Sequence, residues 1–182
     1  IADNTSEISK LRYCLATIKS SSTHLLGLIN DILDMSKIEA GKLELYDGPL
    51  HVEDMLIRIC TMFSERVEKK GQTLRVALDD AIAPQYIGDE LHLSQVITNL
   101  LSNAVKFTPE GGHITLSVKE TEKKEEQHIL RFSVADNGIG MTKEQMSRLF
   151  NAFTQADESI ANRFGGTGLG LAISKSIVEK MG

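Results

Sequence analysis

Two asparagines and a lysine stand at helical spacing in the middle of the chain. Asn99 and Asn103 are four residues apart, and Lys106 follows three residues later, in a segment whose apolar residues recur with helical periodicity. This spacing places the three side chains on one face of a helix. Amide oxygens can complete the ligand shell of Mg²⁺, and a lysine can neutralise a phosphate. The alternative is a solvated polar face that binds no ligand.

An acidic residue follows an apolar segment and precedes a glycine-rich turn. Asp136 comes directly after the predicted strand at residues 129–135, and Gly138 and Gly140 follow it closely. A carboxylate at this position can accept a hydrogen bond from the exocyclic amine of adenine. The two glycines would let a flat base lie against the backbone. Taken alone, the same residues are typical of a tight turn.

A second glycine cluster opens the last predicted helix. It spans six residues and consists of Gly165, Gly166, Thr167, Gly168, Leu169 and Gly170. Backbone amides of a glycine loop at a helix N-terminus bind anions, so this loop is a candidate phosphate site. It lacks the Gly-Lys-Ser/Thr ending of a P-loop, and a glycine-rich cap or linker is the alternative. Arg163, just before the cluster, is a further candidate phosphate contact.

Two phenylalanines lie between the glycine clusters. Phe150 and Phe153 flank two residues at helical spacing, which favours packing in the core. The alternative is that they anchor the polar stretch at residues 154–164.

One long helix is predicted for the first forty residues. Gly41 and the turn at residues 47–49 mark its end, and a short strand is predicted between them at residues 42–46. A helix of this length cannot bury an apolar seam alone, so we expect a second copy or another segment to cover it. The seam residues follow a heptad-like spacing and are Leu11, Leu15, Ile18, Ser22, Leu25, Ile29, Ile32 and Ser36.

The remaining segments alternate irregularly between helix and strand. Helices are predicted at residues 52–70, 90–107, 143–149 and 169–181, with Asp89 and Thr142 as N-caps. Strands are predicted at residues 73–78, 113–119 and 129–135, the last two joined by a charged turn at residues 120–127. This order predicts an α+β fold with helices on one face of a mixed sheet.

Composition and charge exclude several classes of function. With 182 residues and a net charge of −5, the chain lacks the basic excess of nucleic-acid-binding proteins. No apolar run is long enough to span a membrane, so we expect no membrane contact of this segment, and membrane anchoring of the whole protein stays open. Cys14 and Cys60 have no metal-ligand spacing and are expected to be free thiols. The five histidines are dispersed, which argues against a metal site built on them.

Taken in order, these motifs closely resemble the ATP-binding catalytic domain of bacterial sensor histidine kinases of the hybrid type. Residues 99–109 match the N box of that family, residues 136–140 the G1 box, residues 150–153 the F box and residues 166–171 the G2 box. The wider superfamily includes gyrase, Hsp90 and MutL. Upstream, residues 22–45 resemble the second helix of the dimerisation and phosphotransfer domain.

The resemblance implies a role for each matching residue. Asn103 would ligate Mg²⁺, Asn99 would lie near the phosphates of ATP, and Lys106 would contact a phosphate. Phe107 would pack near the nucleotide, and Asp136 would bind the adenine amino group. Asn99 and Lys106 are therefore the predicted catalytic residues.

The glycine boxes would complete the predicted nucleotide site. Gly138 and Gly140 would shape the adenine pocket, while Gly166, Gly168 and Gly170 would lie along the phosphates beneath a lid formed by residues 154–164. The other nucleotide contacts that we predict, from the F box, the lid and the G2 box, are Phe153, Arg163, Gly166, Thr167, Gly168, Leu169 and Gly170.

The resemblance also implies a domain organisation. The fold would be a two-layer sandwich of helices on a mixed sheet, the Bergerat-type ATP-binding fold, preceded by one long helix. Residues 1–41 would be the second dimerisation helix, residues 42–49 a linker with a short strand, and residues 50–182 the ATP-binding domain. The family continues past the last helix with a further β-hairpin, so we expect the sheet to lack one or two strands and to have an exposed edge.

The implied activity is that of a protein-histidine kinase, of which this segment would be a cytoplasmic part whether or not the whole protein is anchored in a membrane. It would transfer the γ-phosphoryl group of ATP to a histidine, and from there to an aspartate on a response regulator or receiver domain. It would form a homodimer through the N-terminal helix. No histidine here matches the family's phosphoacceptor motif, so we expect the acceptor before Ile1 and no activity from this chain alone.

Two alternatives stay open at this point. A gyrase-type or Hsp90-type ATP hydrolase would have an acid where Asn99 stands, and its absence favours phosphoryl transfer. A dimerising scaffold without transferase activity, with or without bound nucleotide, is the other alternative.

Overall fold

A computed structural model describes residues 2–124, 127–151 and 168–182 of the chain. The chain forms two compact units, Ile1–Leu43 and Glu44–Gly182. Among the described residues, no helix combines the length and the apolar character needed to cross a membrane.

The first unit contains one long helix, α1 (Ala2–Glu39), as predicted. Gly41 follows the helix with φ +67°, and its N–H donates to the Ile38 carbonyl at 2.9 Å. This left-handed conformation ends the helix and favours glycine. The large apolar residues of the predicted seam are all exposed, with exposed fractions of 62% for Leu11, 57% for Leu15, 61% for Ile18, 58% for Leu25, 44% for Ile29 and 53% for Ile32.

The second unit combines five strands and four helices in its described part. In chain order they are β1 (Gly48–Leu50), α2 (Val52–Lys69), β2 (Thr73–Leu78), β3 (Tyr86–Gly88), α3 (Glu90–Phe107), β4 (His113–Lys124), β5 (Gln127–Asp136), α4 (Lys143–Arg148) and α5 (Gly170–Met181). The main sheet has the order β2-β4-β5, with β2 parallel and β5 antiparallel to β4. The sheet is therefore mixed, as predicted. In the described ranges, β5 pairs with β4 alone.

The core lies between this sheet and the helices α2 and α3. Alternate residues of β4 point into it, and Ile114, Leu116 and Val118 are fully buried. Helical spacing on α2 and α3 supplies the opposite wall, which includes Met55, Ile59, Ile97 and Leu101. Helix α5 packs against α3. Because α3 packs between the sheet and α5, one face of it is fixed and its polar face is presented at a defined angle.

Buried Asp89 caps the N-terminal end of α3, as predicted. Its carboxylate accepts hydrogen bonds from the His92 backbone N–H at 2.9 Å, the His92 ring Nδ1 at 2.7 Å and the Tyr46 backbone N–H at 2.8 Å. Burial opposes ionisation of Asp89, but these hydrogen bonds outweigh it and hold the pKa of the carboxyl below its ordinary value. The cap thus ties the segment before β1 to the start of α3.

Two local predictions are wrong. The strand predicted at residues 42–46 has no ladder; β1 begins at Gly48 and pairs with β3, a strand that the sequence did not reveal. Each of these strands has three residues, too few for an alternating pattern, and each depends on its distant partner. The charged segment predicted as a turn at residues 120–127 instead extends β4 to Lys124 and begins β5 at Gln127. Its charged side chains are tolerated because most of this end of the hairpin is exposed.

Candidate functional site

The start of α5 lies against Asn99 of α3. The Asn99 Nδ2 donates to Ser174 Oγ at 2.9 Å, and a Cβ added to Gly170 would lie 2.5 Å from Asn99 Oδ1. A side chain at position 170 would therefore displace the Asn99 amide, and glycine lets the start of α5 lie close to the polar face of α3. Gly168 has φ +71°, and the Leu169 side chain is buried, which anchors this end of the loop.

Asn103 and Lys106 continue the polar face of α3 beyond Asn99. Asn103 is half-buried, and its side-chain amide makes no hydrogen bond in the described part of the chain. The Lys106 ammonium lies 4.7 Å from the centroid of the Phe107 ring. Burial lowers the pKa of Lys106 below its ordinary value, because desolvation disfavours the charged form. A nearby phosphate would compensate for that loss of solvation.

The first glycine loop lies against the C-terminal end of α3. The Ile139 N–H donates to the Phe107 carbonyl at 3.4 Å, and a Cβ on Gly138 would lie 2.6 Å from the same oxygen. Asp136 is exposed, and one of its carboxylate oxygens accepts from the Gly138 N–H at 2.8 Å. Gly140 has φ +66°. The carboxylate predicted to bind adenine is thus oriented by its own loop and remains accessible.

Asn137, which sequence reasoning did not assign to the site, fixes this loop to the sheet. Its side-chain oxygen accepts from the His113 N–H at 2.7 Å, and its own N–H donates to the His113 carbonyl at 3.2 Å. The signal available in the sequence is the Asp-Asn-Gly order, since asparagine side chains commonly bond to nearby backbone in turns. Ser174 carried no such signal, because its contact with Asn99 joins residues 75 positions apart.

Lys70 and Gln72 hold the other side of the C-terminal turn of α3. Lys70 Nζ lies 2.7 Å from the Val105 carbonyl, and Gln72 Nε2 lies 2.7 Å from the Thr108 carbonyl. Sequence reasoning missed both residues, because their partners lie more than thirty positions away along the chain. The last turn of α3, which carries Lys106, is thus fixed by β2 and the turn before it.

Several predicted site residues lie outside the described residues. They are Phe153, Arg163, Gly166 and Thr167, together with the predicted lid at residues 154–164. Phe150 is described, and its interpretation as a core residue is wrong because 48% of its side chain is exposed. Helix α4 is one and a half turns long and buries none of its residues, so it gives Phe150 no core to enter.

The donor set fits a magnesium–nucleotide complex better than a bare metal ion. The described residues contain no group of three or more His, Cys, Asp or Glu side chains that could hold a metal. Mg²⁺ takes oxygen ligands, keeps several waters and is commonly bound through one or two protein groups plus substrate phosphates. The unengaged amide of Asn103 fits that limited role.

A family comparison decides which kind of site this is. Residues 88–182 match the sequence pattern of the family described as histidine kinase-, DNA gyrase B-, and HSP90-like ATPase. The chain belongs to this family. The matched region begins at the end of β3 and includes all of α3, both glycine loops and α5.

Curated relatives of the chain include histidine kinases. The chain is 44% identical to sensor histidine kinase GacS of Pseudomonas protegens and 42% identical to signal transduction histidine-protein kinase BarA of Escherichia coli K12. Each match covers 92% of this chain and 18% of the relative. The chain is thus similar to the ATP-binding catalytic region of hybrid sensor kinases, and it spans about a fifth of their length.

Solved structures agree with this assignment of fold. Full-length ShkA in complex with AMPPNP superposes with a TM-score of 0.75 at 33% identity, over 93% of this chain and 34% of ShkA. Histidine kinase ThkA, solved in complex with the response regulator protein TrrA, superposes with a TM-score of 0.62 at 21% identity, over 87% of this chain and 42% of ThkA. The predicted helix-on-mixed-sheet fold of this ATPase family is confirmed.

Proposed function

We propose that the ATPase-family domain binds ATP along the polar face of α3 and serves a protein-histidine kinase. The observation that carries the proposal is that both glycine loops meet this helix, one at Asn99 through Gly170 and the other at Phe107 through Gly138. Eight residues separate the two contacts, which corresponds to about 12 Å along the helix. An extended nucleotide can bridge that span, with adenine at the first glycine loop and the phosphates running along the polar face of α3, past Lys106 and Asn103, toward the second glycine loop.

Each described residue then has a definite task. Asp136 accepts a hydrogen bond from the adenine amine, and Gly138 and Gly140 keep the pocket floor free of side chains. Asn103 offers an amide oxygen to Mg²⁺, and Lys106 offsets phosphate charge. When bound, Mg²⁺ supplies charge neutralisation at the phosphate oxygens. Because phosphoryl transfer depends mainly on positioning and charge stabilisation, these residues require no covalent chemistry of their own.

Phosphoryl transfer is favoured over hydrolysis by the chemistry at Asn99. Its amide is engaged with Ser174, and an amide cannot act as the base that takes a proton from an attacking water. The γ-phosphoryl group would pass to a histidine on another segment of the whole protein, and from there to an aspartate of a receiver domain. The relatives named above support the proposal, since GacS is named a sensor histidine kinase and BarA a signal transduction histidine-protein kinase.

Two further features of the whole protein follow from this proposal. The exposed seam of α1 would pair with a second copy of the helix, which would give a homodimer. These residues would work in the cytoplasm, where ATP and receiver domains are available.

Calorimetry with Mg²⁺ and ADP tests nucleotide binding and the role of Asp136. We expect the unaltered chain to bind ADP and Asp136→Ala to raise its Kd by about tenfold or more, since an adenine amine loses its acceptor. Inosine diphosphate has a carbonyl in place of that amine and cannot donate to Asp136 there, so Asp136→Ala should not weaken its binding. Asp80→Ala, which removes an exposed aspartate elsewhere, is the matched control. Equal ADP heats for the unaltered chain and Asp136→Ala would contradict the assignment.

A phosphorylation assay tests the division of labour between this chain and the rest of the protein. Incubated alone with radiolabelled ATP and Mg²⁺, the chain should acquire no acid-labile phosphate, because none of its five histidines has the acceptor motif. The whole protein should become labelled under the same conditions. Stable phosphohistidine on this chain alone would overturn that division.

A further inference from the structure

A charged and a neutral side chain share the same carbonyls at the C-terminal end of α3. Lys70 Nζ lies 2.7 Å from the Val105 carbonyl and 3.4 Å from that of Thr108, and Gln72 Nε2 lies 3.2 and 2.7 Å from the same two oxygens. Lys70 also donates to the Lys106 carbonyl, at 3.1 Å. The carbonyls at this helix end thus have two donors, the charged ammonium of Lys70 and the neutral amide of Gln72.

The charge matters because of what this helix end would face. The last carbonyls of an α-helix lack partners within the helix and carry a partial negative charge of roughly half an electron. Lys106, the proposed phosphate contact, lies in that last turn. A phosphate held there would therefore experience repulsion from the helix end, which a neutral donor such as Gln72 does little to reduce.

We propose that Lys70 is a positioning residue for nucleotide binding, whose ammonium offsets the negative end of α3 so that Lys106 can hold a phosphate. The proposal rests on the nucleotide binding proposed above. It requires Lys70 to raise the affinity for ligands that carry phosphates and to leave the affinity for the nucleoside alone unchanged. Gln72, in contrast, contributes to the stability of the turn without discriminating between the two.

The surroundings of Lys70 supply a matched control. It lines a cleft of about 420 Å³ between α2 and α3, whose other lining residues are Arg66, Lys69, Ser102, Val105 and Lys106. Lys69 carries the same charge one position earlier, but it is exposed and pairs with Glu65 at 2.6 Å. Removing Lys69 changes the net charge equally without touching the α3 carbonyls.

The experiment compares Kd values for Mg·ADP and for adenosine in single variants of the full chain. Lys70→Met should raise the Kd for ADP roughly three- to tenfold and change that for adenosine less than about twofold. Lys70→Arg, which keeps the positive charge, should have a Kd for ADP close to that of the unaltered chain. Gln72→Met should lower thermal stability and leave the ratio of the two Kd values unchanged, and Lys69→Met should leave both Kd values near those of the unaltered chain.

The outcomes separate this inference from the function on which it rests. Absence of ADP binding to the unaltered chain would overturn the proposed function itself. ADP binding with the same Kd ratio in Lys70→Met, or an equal loss in Lys69→Met, would overturn only the role of Lys70. If Lys70→Met does not fold, Lys70→Gln replaces it, because glutamine keeps a donor while it removes the charge.

Discussion

The two ends of α3 are held by side chains of opposite chemistry. At the N-terminal end, the buried carboxylate of Asp89 accepts three hydrogen bonds, two from backbone amides and one from the His92 ring. At the C-terminal end, Lys70 and Gln72 donate to backbone carbonyls. Each anchor supplies what its helix end lacks, since N-terminal amides and C-terminal carbonyls have no partners within the helix.

The difference between the ends lies in what else they contact. The N-terminal anchor connects α3 to the segment around Tyr46 and has no contact with a glycine loop among its hydrogen bonds in the described ranges. The C-terminal anchor fixes the turn whose Phe107 carbonyl receives the Ile139 N–H. Mutations at the two ends should therefore separate the stability of the domain from its affinity for nucleotide.

The largest expected effect is at the C-terminal end. Gly138→Ala places a Cβ 2.6 Å from both the Phe107 carbonyl and Asp136 Oδ1, so the first glycine loop must move away from α3. We expect the Kd for Mg·ADP to rise by at least about tenfold, with a loss of about 1–3 kcal/mol in the free energy of unfolding. Calorimetry and urea denaturation measure the two quantities.

The control for this variant comes from the other region. Gly48→Ala introduces the same methyl group where no atom lies within 4 Å of the added Cβ. It should leave both quantities within experimental scatter. If Gly138→Ala retained the affinity of the unaltered chain, the contact between loop and helix would have no part in nucleotide binding.

A smaller and different effect is expected at the N-terminal end. Asp89→Ala removes the cap and leaves buried donors without an acceptor, which should cost about 1–3 kcal/mol of unfolding free energy. The Kd for Mg·ADP should change less than about twofold, once measured at a temperature where the variant is fully folded. A tenfold loss of affinity in this variant would show that the two ends are coupled.

The smallest effect is an acid dependence of the same anchor. Because hydrogen bonds lower the pKa of folded Asp89, its contribution is present above the ordinary value of 3.8 and is lost as pH falls through the lowered folded-state pKa. The difference in unfolding free energy between the unaltered chain and Asp89→Asn should therefore shrink below about pH 3.8. Urea denaturation at a series of pH values measures it, and a difference that grew on acidification would contradict the assignment.

Elements with a clear periodicity were predictable from sequence. Strand β2 has the predicted bounds, and Asp89 caps α3 as predicted. Thr142 caps α4 as predicted, and it does so through a full capping box with Gln145. These features depend on neighbouring residues alone. Strands β1 and β3 were missed or misplaced because each exists through its partner, 38 positions away at the Pro49–Ile87 pair.

The site shows the same division between local and distant information. The order of Asn99, Asn103, Asp136 and the glycines indicated the family and hence the ligand. The contacts that assemble these residues, Gly170 on Asn99 and Gly138 on Phe107, appear only in three dimensions. Lys70 and Gln72 were missed for that reason, since a lysine and a glutamine before a strand have many exposed roles and few structural ones.

The parallel pairing of β2 with β4 has a consequence for the order of folding. Thr73 pairs with His113, so this contact closes a long loop that contains β3 and α3, whereas the β4–β5 hairpin needs only local closure and should form earlier. The first glycine loop adjoins this contact, because the Thr73 N–H donates to the Gly112 carbonyl and Asn137 bonds to His113. Ligand binding should therefore favour the completed crossover, by about 2.7 kcal/mol at a hundredfold excess over Kd. Under the proposed function, ATP would thus aid the folding of this domain as well as supply the phosphoryl group.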